Sequence, residues 1–461
     1  MADAGLLNDG FPADPSMASR SRELWRRMTA TPAIPMTIAL LLGLYAIDAK
    51  SFWFDEGFSV GMSRLPTEQL LERMQNFEMQ FSPYYLALHA WFALGESEAV
   101  IRGLSVAFGV IGVAATFYVG RRYGVAFAAA LILAVSSMLI EYEQEARGYT
   151  MLVAGSAVST LLFLRLLERP GRLRALLYFL AGAALIYVFP LGALVVVAHG
   201  LWLVVDARDL PRALRARIGL IFPAIAVAWI PMLLFALTHP QIQWMTPTTL
   251  EDVTAAALHL SGGWILLALI VVMLATGMRR DLPALWLLVP LIGTIAITLL
   301  IQPVHQARYF IAILPPAAII LARNPRIAVV GLVALSLATV SAVYSERPKA
   351  DWRSAAAYVA SEVQPGDGIV FAPSFIRTTF GYYAHVGDPL FAASPWKRSD
   401  LTGGPPDIPG ILARERIWLV RNDRPEMPDS VRNALATFSV AETRDFYKGK
   451  VLVDLLVKPP L

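Results

Sequence analysis

Cysteine is absent from the 461 residues. The chain therefore carries no disulfide framework and no catalytic thiolate, and structural zinc bound through thiolates is excluded. Charged residues are scarce, at 16% of the sequence, whereas 56% of the residues are hydrophobic. A soluble domain of this length would not show that balance. The formal charge of +4 is too small to indicate nucleic acid as a partner. The composition therefore defines a polytopic membrane protein.

Residues 1–31 are polar and become basic just before the first apolar run. That run is followed by Asp48, Lys50 and Trp53 instead of a small-residue cleavage site, so we expect a retained first span at 32–47. Residues 1–31 are predicted to form a cytoplasmic tail. The arginines that indicate this orientation are Arg20, Arg22, Arg26 and Arg27.

Later apolar runs alternate with short arginine-rich loops, which should face the cytoplasm. The run 175–205 is too long for one crossing at about 1.5 Å per residue, which predicts a hairpin that turns near Phe189 and Pro190. Residues 81–95 are predicted to form an interfacial or re-entrant helix, since a full crossing there would place the arginine clusters outside. The transmembrane domain, 32–345, is predicted to contain about eleven helices. They cover 32–47, 103–120, 123–140, 148–164, 175–205 as two passes, 218–238, 253–278, 282–304, 309–322 and 327–345.

The composition changes at Glu346, after which the chain is charged, rich in proline and without a spanning segment. Residues 346–461 should form a soluble domain of roughly 115 residues on the extracytoplasmic side. Its sequence predicts a small α/β layer. Helical patterns cover 351–363 and 375–383, and strand-like patterns cover 368–372, 417–420 and 451–456.

Two adjacent carboxylates, Asp55 and Glu56, open the outer loop 48–102 directly after the large apolar side chains of Trp53 and Phe54. Charge beside hydrocarbon is costly unless it is paired, hydrated or used, so this pair is a candidate functional site. The alternative is a hydrated acidic pair that caps a helix at the membrane surface.

Two later outer loops are also polar. One contains Glu145 and Arg147, which an ordinary ion pair would also explain, and the other contains Arg308, which an interfacial anchor would also explain. Carboxylates and arginines at the hydrocarbon boundary suit a substrate with a lipid tail, a phosphate and a polar head. His89 and His199 stand alone in apolar runs and are expected to be packed or hydrogen-bonded.

These polar motifs occur in a particular order along the chain. They are Asp55-Glu56, Ser82-Pro83-Tyr84-Tyr85, Arg102, Gln144-Glu145-Ala146-Arg147 with Tyr149, Arg308-Tyr309 leading to Leu314-Pro315, and Asp351-Trp352-Arg353. The ordered set resembles the GT-C superfamily of membrane glycosyltransferases, specifically bacterial proteins of the glycosyltransferase family 39 type. It is similar to the protein O-mannosyltransferases and to the aminoarabinose transferase that modifies lipid A. The segment Met79-Gln80-Phe81-Ser82-Pro83 departs from the His-Pro-Pro stretch of many family members.

The resemblance implies an inverting transfer from a polyprenyl-phosphate sugar to an acceptor hydroxyl outside the cytoplasm, in a bacterial inner membrane. The acceptor would be a glycan, a lipid or a protein. By position, Asp55 would be the general base and Glu145 a second acid that orients the acceptor or pairs with Arg147. The residues implied in substrate binding are Glu56, Tyr84, Tyr85, Arg102, Arg147, Tyr149, His305 and Arg308.

No metal ligand is assigned and no cofactor is required by this interpretation. A hard divalent cation bound by the carboxylates of Asp55, Glu56, Glu143 and Glu145 stays an open alternative.

Two other classes of function stay open at this stage. A transporter or flippase of lipid-linked sugars also has many spans, but it should carry charges inside several of them and show repeat symmetry. The polar residues here crowd one face, which favours chemistry on a lipid-bound substrate. A catalytically silent scaffold that presents the outer domain is the third hypothesis.

Overall fold

Every predicted apolar run contains helix in the computed structural model of the chain, because a backbone in hydrocarbon must bond its N–H and C=O groups within the segment. The structure describes residues 28–207, 210–239, 247–301, 303–304, 306–345, 349–384, 407–422, 425, 427–448 and 450–459.

The helices before the C-terminal domain follow one another through short turns. They are Ala33–Leu44 (α1), Phe54–Ser63 (α2), Thr67–Asn76 (α3), Ser82–Trp91 (α4), Glu98–Arg121 (α5), Ala126–Ala134 (α6), Ser137–Glu143 (α7), Tyr149–Glu168 (α8), Arg172–Val188 (α9), Ala193–Val205 (α10), Arg212–Gly219 (α11), Ile221–Thr238 (α12), Leu250–Ser261 (α13), Trp264–Gly277 (α14), Leu282–Leu300 (α15), Leu314–Leu321 (α16) and Arg326–Ser345 (α17). Short 3-10 helices cover Phe92–Leu94, Pro190–Gly192 and Ala307–Ile313.

Within the described ranges, five helices are long and apolar enough to cross a membrane, or up to seven if each bent pair is one span. The bent pairs are α6 with α7, at 58°, and α13 with α14, at 82°. Shorter apolar helices lie at Ala33–Leu44, Pro190–Val205 and Ala307–Leu321. The chain is therefore a polytopic helical membrane protein, while the number of eleven crossings stays a prediction.

The break predicted near Phe189 and Pro190 is present, since the 3-10 turn Pro190–Gly192 separates α9 from α10. Pro190 has no N–H to continue the preceding helix. The ring of Phe189 packs against those of Phe81, Tyr149 and Tyr309. The two passes of 175–205 stay a prediction.

The two histidines in apolar runs are hydrogen-bonded, as the sequence predicts. His199 is fully buried between the hydroxyls of Thr160 and Tyr178, each 3.0 Å from a ring nitrogen. His89 lies 3.2 Å from the hydroxyl of Thr67. His89 and His199 are therefore assigned structural roles.

The short helix α4 lies within 48–102, the predicted outer loop. Its 10 residues reach only about 15 Å, half the thickness of the hydrocarbon core. The helix is therefore too short to cross the membrane by itself, and its interfacial or re-entrant placement stays a prediction.

The C-terminal part is a small α/β layer, as predicted. Its strands are Gly368–Ala372 (β1), Arg416–Arg421 (β2), Ser439–Asp445 (β3) and Leu452–Val457 (β4), in the order β1-β2-β4-β3, with β1 and β2 parallel and the other pairs antiparallel. Sequence analysis missed β3, because all seven of its residues are exposed and it lacks an apolar face.

Among the described residues of this domain, four helices cover the sheet. They are Trp352–Glu362 (α18), Arg377–Tyr383 (α19), Ile408–Leu412 (α20) and Asp429–Leu435 (α21). The first two pack on one face of the sheet and the last two on the other. Asp351 caps α18 by accepting a hydrogen bond from Ser354 N at 3.1 Å, which confirms the predicted helix start.

The C-terminal domain packs directly on α2, the helix that carries the acidic pair. A Cβ added to Gly57 would lie 2.7 Å from Thr379 Cα, so the two helices touch at this glycine. The rings of Phe54 and Phe375 lie 4.3 Å apart. The C-terminal domain is thus part of the surroundings of the acidic pair.

Candidate active site

The acidic pair lies in the first turn of α2, where the helix dipole favours negative charge. Glu56 accepts a hydrogen bond from Trp53 N at 3.3 Å, the backward contact of a capping box. The side chain of Glu56 is fully buried, whereas that of Asp55 is 17% exposed. The two neighbours therefore occupy different environments.

Glu56 accepts hydrogen bonds from four residues. Besides Trp53 N, its oxygens accept from Arg102 Nε at 2.7 Å, from Lys349 Nζ at 2.7 Å and from Ala146 N at 3.0 Å. Burial by itself would raise the pKa of Glu56, but the charges and hydrogen bonds of Arg102 and Lys349 outweigh it and lower the pKa to about 2. Glu56 is therefore ionised and has a structural role, since it joins the segments that carry its donors.

Arg102 is only 1% exposed, and its guanidinium spans several backbone groups. It donates to the carbonyl oxygens of Ile47, Lys50 and Ser51 at 2.6, 2.7 and 3.3 Å, as well as to Glu56. Sequence analysis predicts substrate contacts for Arg102 and Glu56. In the structure their hydrogen bonds among the described residues go to protein, and they join α2 and α5 to the end of the first apolar run.

Asp55 faces two arginines that come from two other predicted outer loops. Its Oδ2 lies 3.9 Å from Arg147 Nε and 3.9 Å from Arg308 Nη1. These separations are too long for hydrogen bonds, so the contacts are electrostatic. The structure thus brings three of the predicted residues together, although they are far apart in sequence.

Arg147 is buried and oriented by its neighbours. Its Nη1 donates to Tyr85 Oη at 3.0 Å and to Ser59 Oγ at 3.4 Å. The guanidinium also lies over the Phe81 ring, 4.4 Å from the ring centroid. The predicted substrate residue Tyr85 therefore contacts Arg147 and orients it.

Tyr84 is linked to the loop that carries Arg147 through the hydroxyl of Ser105. Ser105 Oγ donates to the carbonyl oxygen of Glu145 at 2.5 Å, so it accepts from Tyr84 Oη, which lies 2.9 Å away. Tyr84 is fully buried. Its hydroxyl acts through Ser105 on the loop that carries Arg147.

Arg308 lies among aromatic rings. Its guanidinium carbon is 5.5 Å from the Trp53 ring, 5.9 Å from that of Tyr149 and 5.7 Å from that of Tyr309. The Nε atoms of Arg308 and Arg147 are buried and lack a hydrogen-bond partner among the residues that the structure describes. Buried charged donors of this kind suit an anionic ligand.

A cavity of about 940 Å³ opens beside these side chains. Asp55, Arg147, Tyr149 and Arg308 line one part of it, and the rest is mostly apolar. The apolar walls come from α9, α10, α12 and α15, and include Phe189, Leu194, Trp229, Met232, Leu233, Phe235, Ile297 and Ile301. The cavity therefore joins a charged end to a long apolar wall.

Glu145 lies beside this arrangement, next to a second cavity of about 30 Å³. Its Oε1 is 3.5 Å from Lys349 Nζ, so the ion pair of this carboxylate is with Lys349, although the sequence suggests Arg147. Burial raises the pKa of Glu145, the Lys349 ammonium partly offsets that rise, and the Glu56 carboxylate adds to it. Sequence analysis missed Lys349, because a single lysine after the last span carries no local signal.

The acidic residues do not form a metal cage in the described part of the chain, where no group of three or more His, Asp or Glu side chains could hold an ion. Glu143, one of the four carboxylates considered for a divalent cation, is buried beside Gly43 and Gly109 and is separate from Asp55. His305, one of the residues implied in substrate binding, lies outside the described residues.

Comparison with known proteins gives structural similarity only. No protein-family profile matches the sequence, and no curated protein matches it. ArnT from Cupriavidus metallidurans, in its apo state, superposes with a TM-score of 0.58 at 14% identity, over 93% of this chain and 99% of that chain. Its complex with undecaprenyl phosphate gives the same values. The arabinosyltransferase EmbB from Mycobacterium smegmatis gives 0.42 at 16% identity, over 78% of this chain and 33% of that one.

The chain therefore has the fold of ArnT, which it resembles over 93% of its length. This likeness agrees with the resemblance to GT-C membrane glycosyltransferases that the ordered motifs carry.

Proposed function

We propose that this chain is an inverting glycosyltransferase that moves a sugar from a polyprenyl phosphate to an acceptor hydroxyl. The observation that carries the proposal is the Asp55 carboxylate, placed between Arg147 and Arg308 at the charged end of a largely apolar cavity. A base and a phosphate-binding pair are the two components that a single displacement needs.

The donor occupies the cavity, with its phosphate at the arginines and its prenyl chain along the apolar wall. Arg147 and Arg308 each offer a buried Nε, and guanidinium groups bind phosphate oxygens well. The solved complex of ArnT with undecaprenyl phosphate supports this choice of donor, since the two folds correspond over nearly the whole chain.

Asp55 takes the proton of the acceptor hydroxyl as its oxygen attacks the anomeric carbon. The bond between that carbon and the phosphate oxygen breaks on the opposite face, and the electron pair leaves with the polyprenyl phosphate. Arg147 and Arg308 stabilise the charge that develops on the phosphate. The configuration at the anomeric carbon inverts. Glu145 orients the acceptor from the side of Lys349.

The other predicted residues position this machinery. Glu56 and Arg102 hold α2, Tyr84 and Tyr85 hold the Arg147 loop, and Tyr149 packs against Arg308. The two arginines serve the leaving phosphate, so the proposed reaction requires no metal ion.

The proposed location is the bacterial inner membrane, with residues 1–31 in the cytoplasm and 346–461 outside. Transfer then takes place on the extracytoplasmic face, where a glycan, a lipid or a protein supplies the hydroxyl. The arginine-rich loops predicted to face the cytoplasm support this orientation.

The test is reconstitution with a panel of polyprenyl-phosphate sugars and of lipid, glycan and protein acceptors. Asp55→Asn should slow transfer by at least about a hundredfold. Asp429→Asn is the matched control, because the Asp429 side chain is 91% exposed on α21. Transfer by Asp55→Asn at the rate of the wild type would refute the assigned base. Movement of labelled lipid across the bilayer without transfer would favour a transporter.

A further inference from the structure

Lys349 is the one residue from beyond the last membrane helix whose side chain contacts both Glu56 and Glu145 in the described part of the chain. Its Nζ lies 2.7 Å from Glu56 Oε2 and 3.5 Å from Glu145 Oε1. It also lies 3.4 Å from the carbonyl oxygen of Gln144. The side chain is only 16% exposed. A lysine in this setting contacts two buried carboxylates at once.

The two carboxylates belong to the two segments that carry the proposed machinery. Glu56 is adjacent to Asp55 on α2, and Glu145 lies two residues before Arg147. The amide of Ala146 donates to Glu56, so the two segments also meet through the backbone. Lys349 adds a second connection between them through a charge.

The segment around Lys349 is itself attached to the outer loop. Ser51 Oγ donates to the carbonyl oxygen of Ala350 at 2.5 Å and accepts from Trp352 N at 3.2 Å. Arg353, on α18, donates to the carbonyl oxygen of Asp48 at 2.8 Å. The docking of the C-terminal domain and the placement of Lys349 are therefore parts of one interface.

The charges at the site assign a partner to each carboxylate. Arg102 pairs with Glu56, and Arg147 and Arg308 face Asp55. Lys349 is the cation within 4 Å of Glu145 among the described residues. Loss of Lys349 would leave Glu145 buried without its ion pair, which is costly.

We propose that Lys349 is a positioning residue, through which the docked C-terminal domain holds α2 and the Arg147 loop at the spacing that transfer requires. This rests on the proposed glycosyltransferase function for its catalytic consequence. The contact between α2 and the Arg147 loop can be measured independently of sugar transfer. The C-terminal domain is then a component of the active site.

The catalytic test compares Lys349→Met with Lys349→Arg, which keeps the charge. Lys349→Met should lower kcat by about tenfold or more, because a small misplacement of the reacting groups slows the chemical step, with the KM for donor within about twofold. Lys349→Arg should restore most of the activity. Lys458→Met is the control, since Lys458 pairs at 3.4 Å with an exposed carboxylate of the same domain.

The pH profile separates positioning from a general loss of stability. The acid limb of kcat should move to higher pH in Lys349→Met, because Glu145 then loses the cation that opposes protonation. Glu145→Gln combined with Lys349→Met should abolish that movement. In the described part of the chain, the charged or titratable groups around Glu145 are Lys50, Asp55, Glu56, Tyr84, Arg102, Glu141, Tyr142, His259, Arg308 and Lys349.

The structural test is hydrogen exchange at Ala146, whose amide donates to Glu56. Lys349→Met should exchange there at least about tenfold faster than the wild type, while Lys458→Met should not. An unchanged exchange rate, or a Lys349→Met enzyme with the kcat and pH profile of the wild type, overturns the proposal. If the wild type transfers no sugar, the function fails, and the exchange result alone decides the positioning.

Discussion

Gly57 and Thr379 meet at the contact between α2 and the C-terminal domain, where an added Cβ on Gly57 would lie 2.7 Å from Thr379 Cα. A Cβ at that distance from backbone has no room, so the glycine permits the close approach of the two helices. The contact lies two residues after Asp55. The position of the proposed base is therefore coupled to the docking of the outer domain.

Gly57→Ala should destabilise this contact. Overpacking of this kind costs about 1 to 3 kcal/mol, more than the roughly 1 kcal/mol by which alanine favours a helix. The apparent Tm in detergent, taken at one scan rate, should fall, and transfer should fall with it.

Gly103→Ala is the control for that substitution, since a Cβ at Gly103, on α5, meets no atom within 4 Å. Its Tm should stay or rise slightly. A Gly57→Ala protein as stable as Gly103→Ala would show that α19 does not pack on α2.

Acidification should destabilise the protein through Glu56. Its pKa is lowered from 4.5 to about 2, so the folded state binds its proton less readily than the unfolded state. This contribution to the free energy of unfolding is complete above pH 4.5 and is lost as the pH falls toward about 2. Thermal melts between these limits measure the effect.

Glu56→Gln should lower the Tm at neutral pH, because Arg102 loses its buried partner, and should weaken the dependence on acid pH. Glu68→Gln, at an exposed position on α3, should do neither. Equal acid dependence in the wild type and Glu56→Gln would contradict the assignment.

Arg147→Lys and Arg308→Lys should weaken binding of the donor phosphate. Lysine keeps the charge but loses the planar fork, and the Nε donors of both arginines are among the groups that we assign to the phosphate. The loss of a charged hydrogen bond, about 1.5 to 3 kcal/mol, corresponds to about 10- to 100-fold in affinity. Competition with undecaprenyl phosphate measures this.

Two controls accompany that measurement. Arg212→Lys, on the exposed face of α11, should bind as the wild type does. A polyprenol without phosphate should bind the wild type and the variants equally. Equal loss for the polyprenol would show that the arginines shape the apolar wall and do not hold the phosphate.

Hydropathy located the helices well, because this signal is local. The run at 103–120 lies inside α5, and all of the run at 148–164 except its first residue lies inside α8. The break near Pro190 was expected from the length of the run 175–205. Asp55, Arg147 and Arg308 were chosen from their type and their place in outer loops, and the structure brings all three to one cavity. Strand β3 was missed for want of an alternating pattern.

The sequence by itself determined the class of protein, the helical segments and the small set of polar residues in the loops between them, since composition and periodicity are properties of short windows. Only the tertiary structure decided how Asp55 and Glu56 divide their roles. The bonds of Glu56 reach residues 46, 90 and 293 positions away in sequence. Burial and charge pairing over such separations arise from packing, which is why Lys349 became visible only in the folded chain.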